Sequence, residues 1–138
     1  LIDEASGWYD QGGGDVDSRH NYFYPLRIRP GGRTVALSEY GGIAWPMPGH
    51  EPPGKTYGYG TAKDKADLTK RYKMLQWKTI LPQLGRGLSA LVYTQLTDVE
   101  DEVNGLFTYD RTAIKPDAAA VRAVNEALEV EFEKAVKE

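Results

Sequence analysis

Glu39 is the residue whose type and setting most suggest chemistry. It ends the strand-like run Thr34, Val35, Ala36, Leu37 and Ser38, and Tyr40, Gly41 and Gly42 break the pattern immediately after it. Glutamate is depleted in strands and seldom buried without a partner. A carboxylate here is either neutralised by an arginine such as Arg19 or Arg33, or kept for catalysis, because paired and perturbed carboxylates serve both ends. His20 and Tyr22 lie two positions apart, the spacing that puts two side chains on one face of a strand. Trp45, in the loop after Glu39, either walls a site or anchors the loop. His50, in a proline-rich loop, is expected to face solvent. The acidic residues Asp98, Glu100, Asp101 and Glu102 lack the spacing and glycine of a calcium loop and read as a solvated loop. With two distant histidines and no cysteine, there is no pattern for a zinc site, a thiolate or a disulfide.

Several elements must position these residues. Leu1 and Ile2 read as the tail of a strand, and residues 9–18 as a loop rich in glycine and aspartate. Residues 19–28 alternate rings with polar residues and predict a short strand stopped by Pro25, followed by a turn at 29–33. Residues 34–39 are the next strand, and the Gly- and Pro-rich stretch behind them is functional or disordered. From Thr61 to about Leu81 the apolar period becomes helical through Leu68, Tyr72, Leu75 and Ile80, with Pro82 and Gly85 as terminators. Residues 87–95 are apolar on both parities, the mark of a strand covered on both faces. A last helix starts near Asp117, a good N-cap, with Val121, Val124, Leu128, Phe132 and Ala135 on one stripe. Strands alternating with helix-length segments indicate βα units and a parallel sheet. Three to four such units amount to about half of an eight-fold barrel of about 250 residues; an open α/β sheet is the competing topology.

The totals fit a single domain or part of one. The chain has 138 residues, 41% hydrophobic and 27% charged, with a net charge of −3. No apolar run approaches a bilayer span, and scattered lysines and arginines offer no face for phosphates, so neither a membrane nor a nucleic acid is expected as a partner. Nine tyrosines and three tryptophans favour surfaces that stack on ligands while keeping a polar edge.

Ser38, Glu39, Tyr40, Gly41 and Gly42 resemble the nucleophile strand of glycoside hydrolase family 2, the group of β-galactosidases, β-glucuronidases and β-mannosidases. "RHNYFYP" before them is similar to the family's sixth barrel strand, which ends in a tyrosine beside the nucleophile, here Tyr22. "LSALVYTQLTDVEDEVNGLFTYDR" after them resembles the eighth strand and the segment returning over the barrel mouth. The resemblance covers the whole chain and implies the C-terminal half of a (β/α)8 TIM barrel, about strands 5 to 8, with residues 1–138 a partial catalytic domain without internal boundary. It implies that Glu39 forms a covalent glycosyl-enzyme, while the acid/base glutamate belongs to a fourth strand that this sequence starts after. The isolated chain is then expected to be inactive, and to need the rest of its parent chain or a copy of itself against its open edges.

The same resemblance bears on the sugar. Where β-glucuronidases carry an Asn-x-Lys motif, this sequence has Glu102, Val103 and Asn104, a like charge for a uronate. "NGLFTYDR" is similar to a stretch of β-galactosidases whose asparagine helps bind a cation beside the sugar, a role that would fall to Asn104; no other cofactor is implied. Asn104 and Gly105 are equally a tight turn. Tyr93 stands where the family usually places a tryptophan floor, and His20 has a hydroxyl-binding or a structural role. A carbohydrate substrate is the implied partner. The alternative from another class is a non-catalytic carbohydrate-binding or interaction module on the same half-barrel; compartment is not legible.

Overall fold

A computed structural model describes residues 1–4, 7–23, 25–29 and 31–137. Three strands, β1 (Val16–Asn21), β2 (Thr34–Gly41) and β3 (Leu88–Thr94), form one parallel sheet in chain order. The link from β2 to β3 carries helix α1 (Lys65–Leu75), a π-helical stretch (Gln76–Ile80) and the short helix α2 (Leu81–Leu84); α3 (Ala118–Lys137) follows β3. The chain is therefore mixed α/β with parallel strands, as the alternation of periods predicts.

One face of the sheet makes the core. Val35, Leu37 and Tyr40 of β2 and Leu88 of β3 pack against Leu75, Ile80 and Leu84, with Leu128 of α3 and Ile28 closing the cluster. Burying a side chain such as Leu37 is worth about 1.5–3 kcal/mol. α1 begins where Asp64 accepts from the Asp67 amide, and α3 where Asp117 Oδ1 accepts from the Ala120 amide at 3.0 Å. Tyr72 of α1 donates to Asn125 of α3 at 2.8 Å. All the helices thus join one layer.

Several boundaries differ from the sequence expectation. β1 starts inside the stretch read as loop and ends at Asn21, before the expected stop at Pro25; Tyr24 and Pro30 lie outside the described residues. Leu1 and Ile2 are in no strand, although the Ile2 carbonyl accepts from the Asp15 amide and the Gly7 carbonyl from the His20 amide. This segment therefore follows the outer edge of β1 in the same direction. Pro82 does not end the helical run that starts near Thr61: the backbone stays helical through the π-helical stretch into α2, which carries the proline and ends at Gly85. The largest correction concerns β3, which is not covered on both faces: Ser89, Ala90 and Val92 are exposed, Val92 at 57%. As an edge strand, β3 packs only its helix-side residues Leu88, Leu91 and Tyr93.

The acidic segment after β3 is not a solvated loop at Asp98. Lys115, fully buried, donates to Asp98 Oδ1 at 2.8 Å and to the Val103 carbonyl at 2.8 Å, and the Gly105 amide also bonds Asp98 Oδ1. Burial pushes the Asp98 pKa up and the Lys115 pKa down, each opposed by its partner's charge. Replacing Lys115 with Met should cost about 3–5 kcal/mol in urea unfolding, because it strands a buried carboxylate, and adding Asp98→Leu should restore a good part of that loss.

Tyr40 supplies a pH test. Burial raises its pKa, and its hydroxyl is bonded to the Gln76 amide group. The folded state then holds a proton that the unfolded chain releases above its ordinary pKa of about 10. Stability is full below that pH and falls as pH rises beyond it. Tyr40→Phe should flatten this alkaline decline by up to about 1.4 kcal/mol per pH unit, read by denaturant midpoints between pH 9 and 11.

Candidate active site

Glu39 owes its direction to an irregularity in β2. Side chains alternate along a strand, so strict alternation would place Glu39 with Val35 and Leu37 in the apolar core. Arg19 pairs with Leu37 but the next residue, His20, pairs with Glu39. On the other side Leu37 faces Leu91 and Tyr40 faces Tyr93. β2 therefore spends one residue more than either neighbour between Leu37 and Tyr40. This bulge keeps Tyr40 on the core side and turns Glu39 to the opposite face, where Ser18 donates to Ser38 at 2.7 Å.

There Glu39 meets the two residues that spacing had put beside each other. Tyr22 Oη donates to Glu39 Oε2 at 2.6 Å, and His20 Nδ1 lies 3.3 Å from the same oxygen without the alignment of a hydrogen bond. Among the described residues Oε1 accepts nothing, and the side chain is 44% exposed, so a reactant can reach it. Burial first, and then the bond to Glu39, raise the Tyr22 pKa above the ordinary phenol range, which keeps the hydroxyl a donor. Neither arginine considered for Glu39 approaches it. Arg19 is paired with Asp17, and Arg33 with Asp10 and the carbonyls of Gly13 and Val16. That structural reading of Glu39 is corrected: the carboxylate has phenol and imidazole neighbours, not a guanidinium.

Gly41 and Gly42 are glycines for two reasons. Their φ values of 97° and 62° lie in the left-handed region. A Cβ on Gly42 would also stand 2.7 Å from the Tyr59 ring and 2.9 Å from the Tyr22 ring, and one on Gly41 2.3 Å from the Tyr93 ring. The stretch behind them is tied down by backbone hydrogen bonds. Tyr59 donates its amide to the Gly42 carbonyl, Tyr57 to Asp101, and Gly42 to Thr94. Tyr59 then stacks on Tyr22 with ring centroids 3.9 Å apart and 8° between planes.

The other expected site residues divide. Tyr93 is turned to the helix side, packed on the core and edge-on to Tyr40 and Tyr72, and the ring contacts do not bring it to Glu39. Trp45 is half-buried, and its backbone amide bonds the Val103 carbonyl. Asn104 and Gly105 form no tight turn. Both are buried, and a Cβ on Gly105 would press into the backbone of Thr97 and Asp98 at 2.2–2.3 Å, so close passage of two chains explains that glycine. Asn104 Oδ1 accepts from Gln95 at 2.7 Å, and its amide group donates to Glu102, which Gln95 also bonds. Asn104 thus belongs to a hydrogen-bonded bracket with Gln95 and Glu102. His50 does not simply face solvent: it is half-buried, with Nδ1 2.8 Å from Asp110.

Tyr57, Tyr59 and Trp8 were not legible as site residues, since glycine- and proline-rich sequence carries no period to orient a ring. Trp8 lies edge-on to His20 at 5.3 Å. Among the described residues no three His, Cys, Asp or Glu gather as a metal site, and no helix is long and apolar enough to cross a membrane. No protein-family model matches the chain, and no curated protein matches it.

Gly42→Ala tests the glycine argument. It should lower stability by about 1–2 kcal/mol from the left-handed backbone alone, and it should change the near-ultraviolet circular dichroism of the tyrosines by parting Tyr22 from Tyr59. An unchanged spectrum would contradict the close approach.

Proposed function

We propose that this chain supplies the nucleophile side of a retaining glycosidase of the glycoside hydrolase family 2 type, acting on terminal β-linked sugars and most similar to a β-galactosidase. The observation that carries the reading is the aim of Glu39: a reachable carboxylate at the C-terminal end of the middle parallel strand, turned away from the helices and held by Tyr22. In βα barrels catalysis occupies that end of the strands. The finer fold, the C-terminal half of a (β/α)8 barrel, is part of the same proposal. It is supported by helices gathered on one sheet face, because a doubly wound sheet covers both. A negatively charged Glu102 in the loop beside Tyr57 and Tyr59 disfavours a uronate.

In this reading Glu39 Oε1 attacks the anomeric carbon, the bond to the leaving oxygen breaks with its electron pair, and the carboxylate becomes a glycosyl ester. Tyr22 steadies the other oxygen and fixes the side chain. Protonation of the leaving group needs a second carboxyl about 5–5.5 Å away, which in this reading the fourth barrel strand of a parent chain supplies. Losing a general acid costs on the order of 10²- to 10⁴-fold in rate.

A substrate whose leaving group needs no proton separates the two halves of the chemistry. With a dinitrophenyl 2-deoxy-2-fluoro-β-galactoside, the chain should gain one fluoro-sugar on the peptide holding Glu39, read by mass spectrometry, and Glu39→Gln should gain none. An ordinary chromogenic β-galactoside should not turn over. Turnover that survives in Glu39→Gln, or a label on another residue, would overturn the assignment. Sugar binding without any label favours the non-catalytic module.

A further inference from the structure

The outer face of the helix layer carries two rows of opposite charge. On α1 and its continuation Lys70, Lys73, Met74, Trp77 and Lys78 recur at helical spacing and line one groove together with Lys65. Met74 is 41% and Trp77 39% exposed, so an apolar strip lies open among the lysines. Trp77 belongs to the π-helical stretch, a departure from α-helical geometry that proteins place largely at functional sites. Among the described residues the lysines in ion pairs are Lys115 and Lys134, neither of them here, and Asp67 beside the row is taken by Arg71 at 3.0 Å. Asp117, also in the lining, is engaged as the N-cap of α3. An exposed indole ringed by ammonium groups without salt-bridge partners in their own chain is a surface shaped for an acidic segment with apolar side chains.

The chain itself carries such a segment. On α3, Glu126, Glu129, Val130 and Glu133 are exposed at i, i+3, i+4 and i+7, Val130 at 52%, with Arg122 and Lys137 beyond the two ends of the row. Among the described residues Glu131 is the glutamate of α3 in an ion pair, and it lies outside this row. We propose that the α1 groove receives α3 of a second copy of this chain while that copy's groove receives α3 of the first, so that the chain forms a two-fold dimer through its helix layers. α1 and α3 lie side by side, joined by the Tyr72 to Asn125 bond, so one two-fold axis makes both pairings at once and the assembly closes at two copies. Trp77 packing on Val130, twice over, supplies the affinity, because buried tryptophans are the commonest hot spots. The lysine and glutamate rows, worth little pair by pair in water, select the partner and its register. A net charge of −3 opposes the approach of two copies only weakly. The dimer uses the helix side of the sheet, so the face that bears Glu39 stays open.

Sedimentation equilibrium of the 138-residue chain over a concentration series reads this association. The chain should dimerise, more weakly in high salt, where exposed charges are screened, and Trp77→Ala should weaken the dimer at least about tenfold. Reversing the basic row with Lys70→Glu and Lys73→Glu, or the acidic row with Glu129→Lys and Glu133→Lys, should abolish it, since like charges then meet in both pairings. An equimolar mixture of the two reversed proteins should dimerise again as a mixed pair, because every row then faces its opposite, and that recovery also shows both variants to be folded. A monomer at every concentration would overturn the proposal, and a monomer that binds poly-glutamate would assign the groove to a different acidic partner. A dimer untouched by Trp77→Ala and by both reversals would also overturn it and move the contact to the open edge of β3, as would a mixture that stays monomeric while each variant keeps its circular dichroism. None of these changes touches Glu39 or Tyr22, so the outcome is independent of the glycosidase reading.

Discussion

A single extra residue in the middle strand governs this structure. The core needs Val35, Leu37 and Tyr40 on one face of β2, and a regular strand cannot deliver that set. It would bury Glu39 and expose Tyr40. The bulge between Leu37 and Tyr40 meets both demands, keeping apolar surface against the helices and a charge out of a medium where an unpaired carboxylate is expensive. The position and the chemistry of the acid therefore have one cause.

What surrounds Glu39 follows from that turn. Gly41 and Gly42 let the chain leave β2 in a left-handed conformation and give room for rings that a Cβ would displace. The stretch after them returns along the segment behind β3, and the buried pair of Lys115 and Asp98 fixes that segment from below. The aromatic layer over the carboxylate is thus held by backbone bonds and one ion pair, while the apolar core holds the sheet that aims it. The two supports are separable, since the core lies on the helix side and the rings lie above the strand ends.

Much of this was legible because it has a period or a cap. The stretch with Leu68, Tyr72 and Leu75 reads as a helix, Asp117 as an N-cap, and residues 34–39 as a strand, and each is found so. The proximity of His20 and Tyr22 followed from a spacing of two, although Tyr22 lies just past the end of β1. Other features hide for physical reasons. An apolar run such as residues 88–94 looks the same whether one face or both are covered, so the exposure of Val92 and the helix-side aim of Tyr93 could not be read. Lys115 is indistinguishable from a surface lysine until Asp98 is seen beneath it. The bulge leaves no mark in composition, because Ala36, Leu37 and Ser38 suit either register.

The direct test of that turn is a nuclear Overhauser measurement on the Glu39 side chain, with selectively labelled leucine, isoleucine and tyrosine. Contacts from the Glu39 methylenes to the Tyr22 ring, with none to the methyls of Leu75 or Ile80, are the expected result. Contacts to those methyls, with the Tyr22 ring silent, would mean a regular β2 and a carboxylate facing the core, and neither the site nor the chemistry assigned to it would stand.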